Sequence, residues 1–352
     1  MKFGLFVGAK IGARHLDGSM AGDSLALSDF LEYVLTAEQN GFDNLFVVEH
    51  HFTGAGQISA SLGLLTYMAA KTTRIRLGTA VIVLPWHNPA LLAEQVTTLD
   101  LLSDGRFDFG IGKGYRPEEF RGFCMPQAEA QGRFDECVAF LQKAWTSKGR
   151  FSFEGKWNSY ADIVVEPEPI QRPHPPFWMA AGSTASAENA GRAGFAMLLD
   201  QVIPAQVIAE RVNAYREARA AVGLNPEQGQ ICLARGFRLV EDAAEAEMVR
   251  RETGTWLERV GALRALGNAD GSPEERVEQY VASRIPLIGT SDELVDRLRE
   301  LKSVGIDHVI LNDMSGSRAA LRRFASEIIP SLLEDARGNR GQLEGATAAA
   351  AQ

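Results

Sequence analysis

Residues 76–112 read RLGTAVIVLPWHNPALLAEQVTTLDLLSDGRFDFGIG. The apolar run from Arg76 to Leu84 predicts a buried strand. Asn88 is placed to cap a helix and Pro89 to open it, so Pro89 to Leu102 reads as helical. Phe107 to Gly112 predicts the next strand. Strand, helix, strand in this order is the βα unit of a parallel sheet.

The same alternation runs outward in both directions. Further strands are expected at Phe3 to Val7, Asn44 to Glu49, Phe177 to Ala181, Ala196 to Asp200, Gln230 to Val240 and His308 to Asn312. A helix from Leu25 to Asn40 closes on Gly41, a good residue just past a helix end. Eight units predict an α/β fold, a (β/α)8 TIM barrel over residues 1–335, with an open doubly wound sheet as the rival. Two stretches exceed the minimal pattern, Gly149 to Pro176 and Glu241 to Pro286, and read as insertions after strands 4 and 7. The Ala-rich tail, 336–352, offers no apolar face to bury and is expected to be disordered.

Composition sets outer bounds. The chain has 352 residues, 45% of them hydrophobic, and a formal net charge of −9. An acidic balance argues against a nucleic-acid groove, which needs clustered Lys and Arg. The first strand is too short for a signal h-region and no stretch is long enough to span a bilayer. Cys124, Cys137 and Cys232 lack metal-type spacing, so reduced thiols in a cytoplasmic protein are expected.

In a βα barrel the chemistry gathers at the carboxyl ends of the strands. The second strand ends in Glu49-His50-His51-Phe52. Successive strand residues point opposite ways, so the two imidazoles are not expected to share a metal, and none is expected. An imidazole near the barrel axis suits proton transfer; a pair of structural histidines is the plain alternative. The fourth strand ends in Gly110-Ile111-Gly112-Lys113-Gly114-Tyr115. Alternate glycines admit a flat ligand, with Lys113 adding positive charge, or else meet the needs of barrel packing. After the fifth strand, Gly182-Ser183-Thr184-Ala185-Ser186 opens a helix whose free N–H groups could cradle a phosphate or could form an ordinary cap.

Taken together these segments resemble the bacterial luciferase-like monooxygenases. The resemblance rests on Lys2-Phe3-Gly4, Gly41-Phe42-Asp43, Glu49-His50-His51-Phe52, and Gly78 through Pro85. It continues through Leu99-Asp100, Ser103 through Phe107, Gly110-Ile111-Gly112 and Gly305-Ile306-Asp307. It implies reduced FMN as cofactor, supplied by a separate flavin reductase, with O2 adding to the flavin to give a C4a-peroxide that oxygenates a small organic substrate. His50 would be the catalytic residue, stabilising or protonating that peroxide. Ala80 and Val81 would form a non-prolyl cis peptide beneath the ring. Gly112, Lys113, Gly182, Ser183, Thr184 and Ser186 would bind the cofactor, and Phe6, Tyr115 and Trp178 would line the substrate pocket. Gly112 and Gly182 stand where luciferases proper carry a cysteine and a glutamate, so light emission is not implied. A homodimer is expected from the resemblance. A deazaflavin F420 enzyme that transfers hydride, or a non-catalytic flavin-binding partner subunit, are its other readings.

Overall fold

The computed structural model describes residues 1–8, 27–53, 57–259, 263 and 271–333. Eight parallel strands close into a barrel in chain order: β1 (Lys2–Val7), β2 (Asn44–Val47), β3 (Arg76–Thr79), β5 (Phe107–Gly112), β8 (Phe177–Ala180), β9 (Ala196–Leu199), β10 (Ile231–Leu239) and β12 (His308–Asp313). Pairing of β9 with β10, and of β10 and β1 with β12, completes the ring and leaves no free edge in it. The closed (β/α)8 barrel therefore holds and the open sheet does not.

The opening stretch folds as its residues dictate. The Asn88 side chain accepts from the backbone nitrogens of Ala90 and Leu91, and α3 (Pro89–Leu102) starts there. Helix α1 (Leu27–Gln39) ends before Gly41, whose φ of 87° suits glycine. One strand differs from expectation. The run Arg76 to Leu84 is not continuous: β3 stops at Thr79, the Ala80–Val81 peptide is cis, and the ladder with β5 resumes at β4 (Ile82–Val83). The second strand also stops at Val47, so Glu49 to His51 belong to the rim loop rather than to the strand.

The stretch 149–176 contains an antiparallel hairpin, β6 (Phe151–Glu154) with β7 (Ser159–Ile163). Its last part seals the barrel's amino end, where Gln171 bonds Asp100, the Phe107 carbonyl and Arg76, and Arg76 forks onto Asp108. The stretch after β10 supplies α8 (Ala243–Arg259) and α9 (Pro273–Ser283), then β11 (Leu287–Gly289), a strand the sequence reading did not foresee, which extends the sheet beside the far half of β10. The tail 336–352 lies outside the described residues, as does the start of the helix expected from Leu25.

Most of the core lies between strands and helices, where Leu5, Leu45, Phe107 and Phe109 are fully buried. Burial of such side chains contributes about 1.5–3 kcal/mol each. A second, smaller cluster fills the barrel itself: Phe46, Trp178, Leu198, Cys232, Ala234 and Ile310, with Phe6, Ala80 and Val81 packed on it. This inner cluster is the floor of the site. No helix among the described residues is long and apolar enough to cross a membrane.

Candidate functional site

Strand alternation carries the floor residues into the mouth. Two positions beyond Trp178, Gly110, Ala234 and Ile310 on the same strand faces come Ala180, Gly112, Gly236 and Asn312. Three of these four are the smallest residues available, and the fourth bonds the side chain of Gln201. A broad aromatic floor thus lies beneath a layer that carries little side-chain bulk. The indole nitrogen of Trp178 is buried there without a protein partner.

The glycines of the fourth strand are held mainly by packing. A Cβ on Gly110 would stand 1.6 Å from the Thr79 carbonyl oxygen, and one on Gly112 would stand 2.5 Å from Val81 Cγ2. Gly114 adopts φ +77°, beside Val83 and Phe120. Gly182 is the opposite case, with nothing within 4 Å of an added Cβ. Space beside β8 is therefore open, whereas space beside β5 is already filled from the β3–β4 side.

Past β8 comes α6 (Thr184–Ala193). Ser183 is its N-cap: its Oγ accepts from Ser186 N at 3.2 Å and lies 2.8 Å from Ser186 Oγ. The Thr184 hydroxyl is committed to Glu210 at 2.7 Å. Behind this turn, the Arg211 guanidinium donates to the carbonyls of Ala181 and Gly182 and fixes the segment from below. Arg211 was not among the sequence candidates, because nothing local marks a helical arginine 29 residues away as a partner of Gly182. Lys113 is exposed on the neighbouring strand's rim, with Gln131 3.1 Å from its Nζ.

The rim histidines separate onto two buried carboxylates. Glu49 receives His51 Nε2 at 3.0 Å, His87 Nε2 at 2.8 Å and the backbone nitrogen of Val83 at 2.6 Å. Burial alone would push its carboxyl up; the bonds from His51, His87 and Val83 reverse this and hold it down at about 2. Glu49 therefore ties the rim of β2 to the turn after β4. His50 instead turns to Glu119, on the short helix α4 (Pro117–Gly122), with Nδ1 3.0 Å from Oε1. Burial, followed by the nearby Arg116 guanidinium, pushes the His50 imidazolium below its ordinary range, against the opposing pull of Glu119. Among the described residues Nε2 of His50 has no protein partner.

Of the expected pocket residues, Phe6 and Trp178 belong to the inner cluster, with Trp178 only 2% exposed. Tyr115 is 67% exposed and meets His50 edge-on at 6.4 Å. The expected cis peptide is present at Ala80–Val81, against the floor. Glu119 and Arg116 are functional candidates that sequence reading missed. The only local signal was a Pro-Glu-Glu helix start, which carries no information about a histidine 69 residues earlier.

Comparison with known proteins places this geometry among relatives. The family model described as luciferase-like monooxygenase matches residues 1–308. An F420-dependent glucose-6-phosphate dehydrogenase of Beutenbergia cavernae is 30% identical over 88% of this chain and 95% of its own. An FMNH2-dependent dimethylsulfone monooxygenase of Pseudomonas putida is 27% identical over 85% of this chain and 86% of its own. Among solved structures, the monooxygenase RslO1 of Streptomyces bottropensis superposes with a TM-score of 0.77 at 29% identity, covering 94% of this chain and all of that one.

Proposed function

The chain belongs to the luciferase-like monooxygenase family, and from that premise we propose that it is the oxygenase component of a two-component FMN system. In this reading reduced FMN arrives from a separate flavin reductase, one atom of O2 enters a small organic substrate, and the working unit is a homodimer. The observation that carries it is the low side-chain bulk of Ala180 and Gly236 over the aromatic floor together with the open space at Gly182, which suits a flat ligand with a tail reaching past β8.

The residues present fit that cofactor. The open space at Gly182 and the N-terminus of α6, with Ser183 and Ser186 there, suit a phosphate tail, favoured by the helix dipole. The unpartnered indole N–H of Trp178 is a donor buried within the floor itself. Ala80 and Val81 form the wall on which the ring would rest. When bound, reduced FMN supplies the electrons that activate O2. The chain's own share is to hold the tail, keep water from the floor with Phe6 and Trp178, and handle a proton at His50 Nε2. Tyr115 and Lys113, at the rim, would meet substrate and the tail respectively.

One observation supports a second reading. The Beutenbergia relative is F420-dependent, so the same mouth could take a deazaflavin and transfer hydride without O2. Turnover separates the two: reduced FMN, O2 and a panel of aldehydes, ketones and aromatics should yield a product heavier by one oxygen. Reduction or oxidation of substrate by F420 with no oxygen gained would overturn the proposal.

A further inference from the structure

His50 and Glu119 are held together more firmly than a rim contact requires. Glu119 is 2% exposed, and its Oε1 takes both His50 Nδ1 at 3.0 Å and the backbone N–H of His51 at 2.9 Å. A backbone amide can only donate, so this oxygen is an acceptor, and the partner it prefers on the imidazole is an Nδ1–H. The backbone of the same residue is also held, since the Ser59 hydroxyl donates to the His50 carbonyl at 2.6 Å. We propose that Glu119 is a positioning residue that fixes His50 in the tautomer with the proton on Nδ1, leaving Nε2 as a lone pair that takes a proton from the bound reactants.

The inference rests on His50 being the proton-handling residue, and it narrows that role. With Nδ1–H given to Glu119, a neutral His50 accepts at Nε2 rather than donates. The proton moves from a reactant O–H or N–H to Nε2, giving an imidazolium whose Nδ1–H remains on the Glu119 carboxylate. No further reagent is needed for that balance. The groups that face the ring set when this is possible: Glu119 on α4 and Glu49 on the rim of β2 favour the imidazolium, whereas burial and Arg116 disfavour it. Tyr115 meets the ring edge-on, with centroids 6.4 Å apart.

Three readouts on the full chain test this. Nitrogen-15 NMR of the cofactor-free protein should show His50 in the Nδ1–H form, and Glu119→Gln, which keeps shape and an acceptor oxygen, should raise the Nε2–H form. In turnover with reduced FMN, Glu119→Gln should lower kcat by about 10- to 100-fold with KM little changed, a part of the ~10²–10⁴-fold that general acid–base catalysis supplies. The acid limb of kcat should move to lower pH in Glu119→Gln and to higher pH in Arg116→Gln, opposite shifts that a loss of folding would not produce. If the tautomer and the acid limb are unchanged in Glu119→Gln while His50→Ala abolishes turnover, the positioning role is wrong and the reading of His50 stands. If His50→Ala turns over normally, the reading of His50 fails whatever the tautomer shows.

Discussion

His50 Nδ1 and Glu119 Oε1 lie 3.0 Å apart although 69 residues separate them, so the rim of β2 and the helix after β5 meet at one carboxylate oxygen, which also accepts from the backbone nitrogen of His51. Replacing His50 by Ala should lower kcat by about 10²–10⁴-fold, the usual span for a lost proton-transfer group. FMN affinity should stay within about twofold. Steady-state kinetics beside an anaerobic FMN titration checks both halves.

Ser183 caps α6 one residue past Gly182, where an added Cβ would meet nothing within 4 Å. Ser183→Ala should destabilise the chain by about 0.5–2 kcal/mol, the ordinary loss of an N-cap. It should also weaken FMN by about tenfold, ~1.4 kcal/mol, while riboflavin, which lacks the phosphate, binds as before. Equal losses for both ligands would place the phosphate elsewhere.

Two glycines should respond oppositely to a methyl group. Gly110→Ala drives a Cβ onto the Thr79 carbonyl and should cost ~1–3 kcal/mol or more, or prevent folding. Gly182→Ala meets nothing within 4 Å and should lie within ~0.5 kcal/mol of the parent in thermal unfolding. Any loss of FMN binding in Gly182→Ala then reports on the ligand rather than on the fold.

His308 provides the clearest acid sensitivity. It is buried against Asn44, 2.5 Å away, and burial first, then Lys2 and the N-terminus, lower its imidazolium to about 3 from an ordinary 6.5. Below about pH 6.5 the unfolded chain takes up a proton that the folded chain refuses, so stability falls as pH drops from 6.5 toward 3. The slope from this group approaches ~1.4 kcal/mol per pH unit. Urea unfolding at pH 7, 6 and 5 should show a decline that His308→Gln flattens.

The barrel was legible because its signals are local. Asn88 with Pro89 marks a helix start, Gly41 marks a helix end, and Phe107–Gly112 was read with its observed bounds. Strand β11 escaped notice because three residues, Leu287–Gly289, give no period to detect. At the site, His50, Ser183 and Ser186 could be proposed from position on the strand ends. Glu119, Arg211 and the triple grip on Glu49 could not, since each acts across a loop or a neighbouring strand and its partner is decided by closure of the ring. The alternate glycines were read two ways, and packing against Thr79 and Val81 accounts for Gly110 and Gly112 where sequence had no means to choose.

In the proposed function a flavin phosphate is held at the start of α6 while its ring lies on the floor that contains Trp178. A crystal structure with FMN bound measures this directly. Phosphate oxygens are expected within hydrogen-bonding distance of Ser183 and Ser186, with the ring against Ala80–Val81, above Phe6 and Trp178. A phosphate bound at another strand end, or a barrel mouth that takes up no FMN in either redox state, would contradict it.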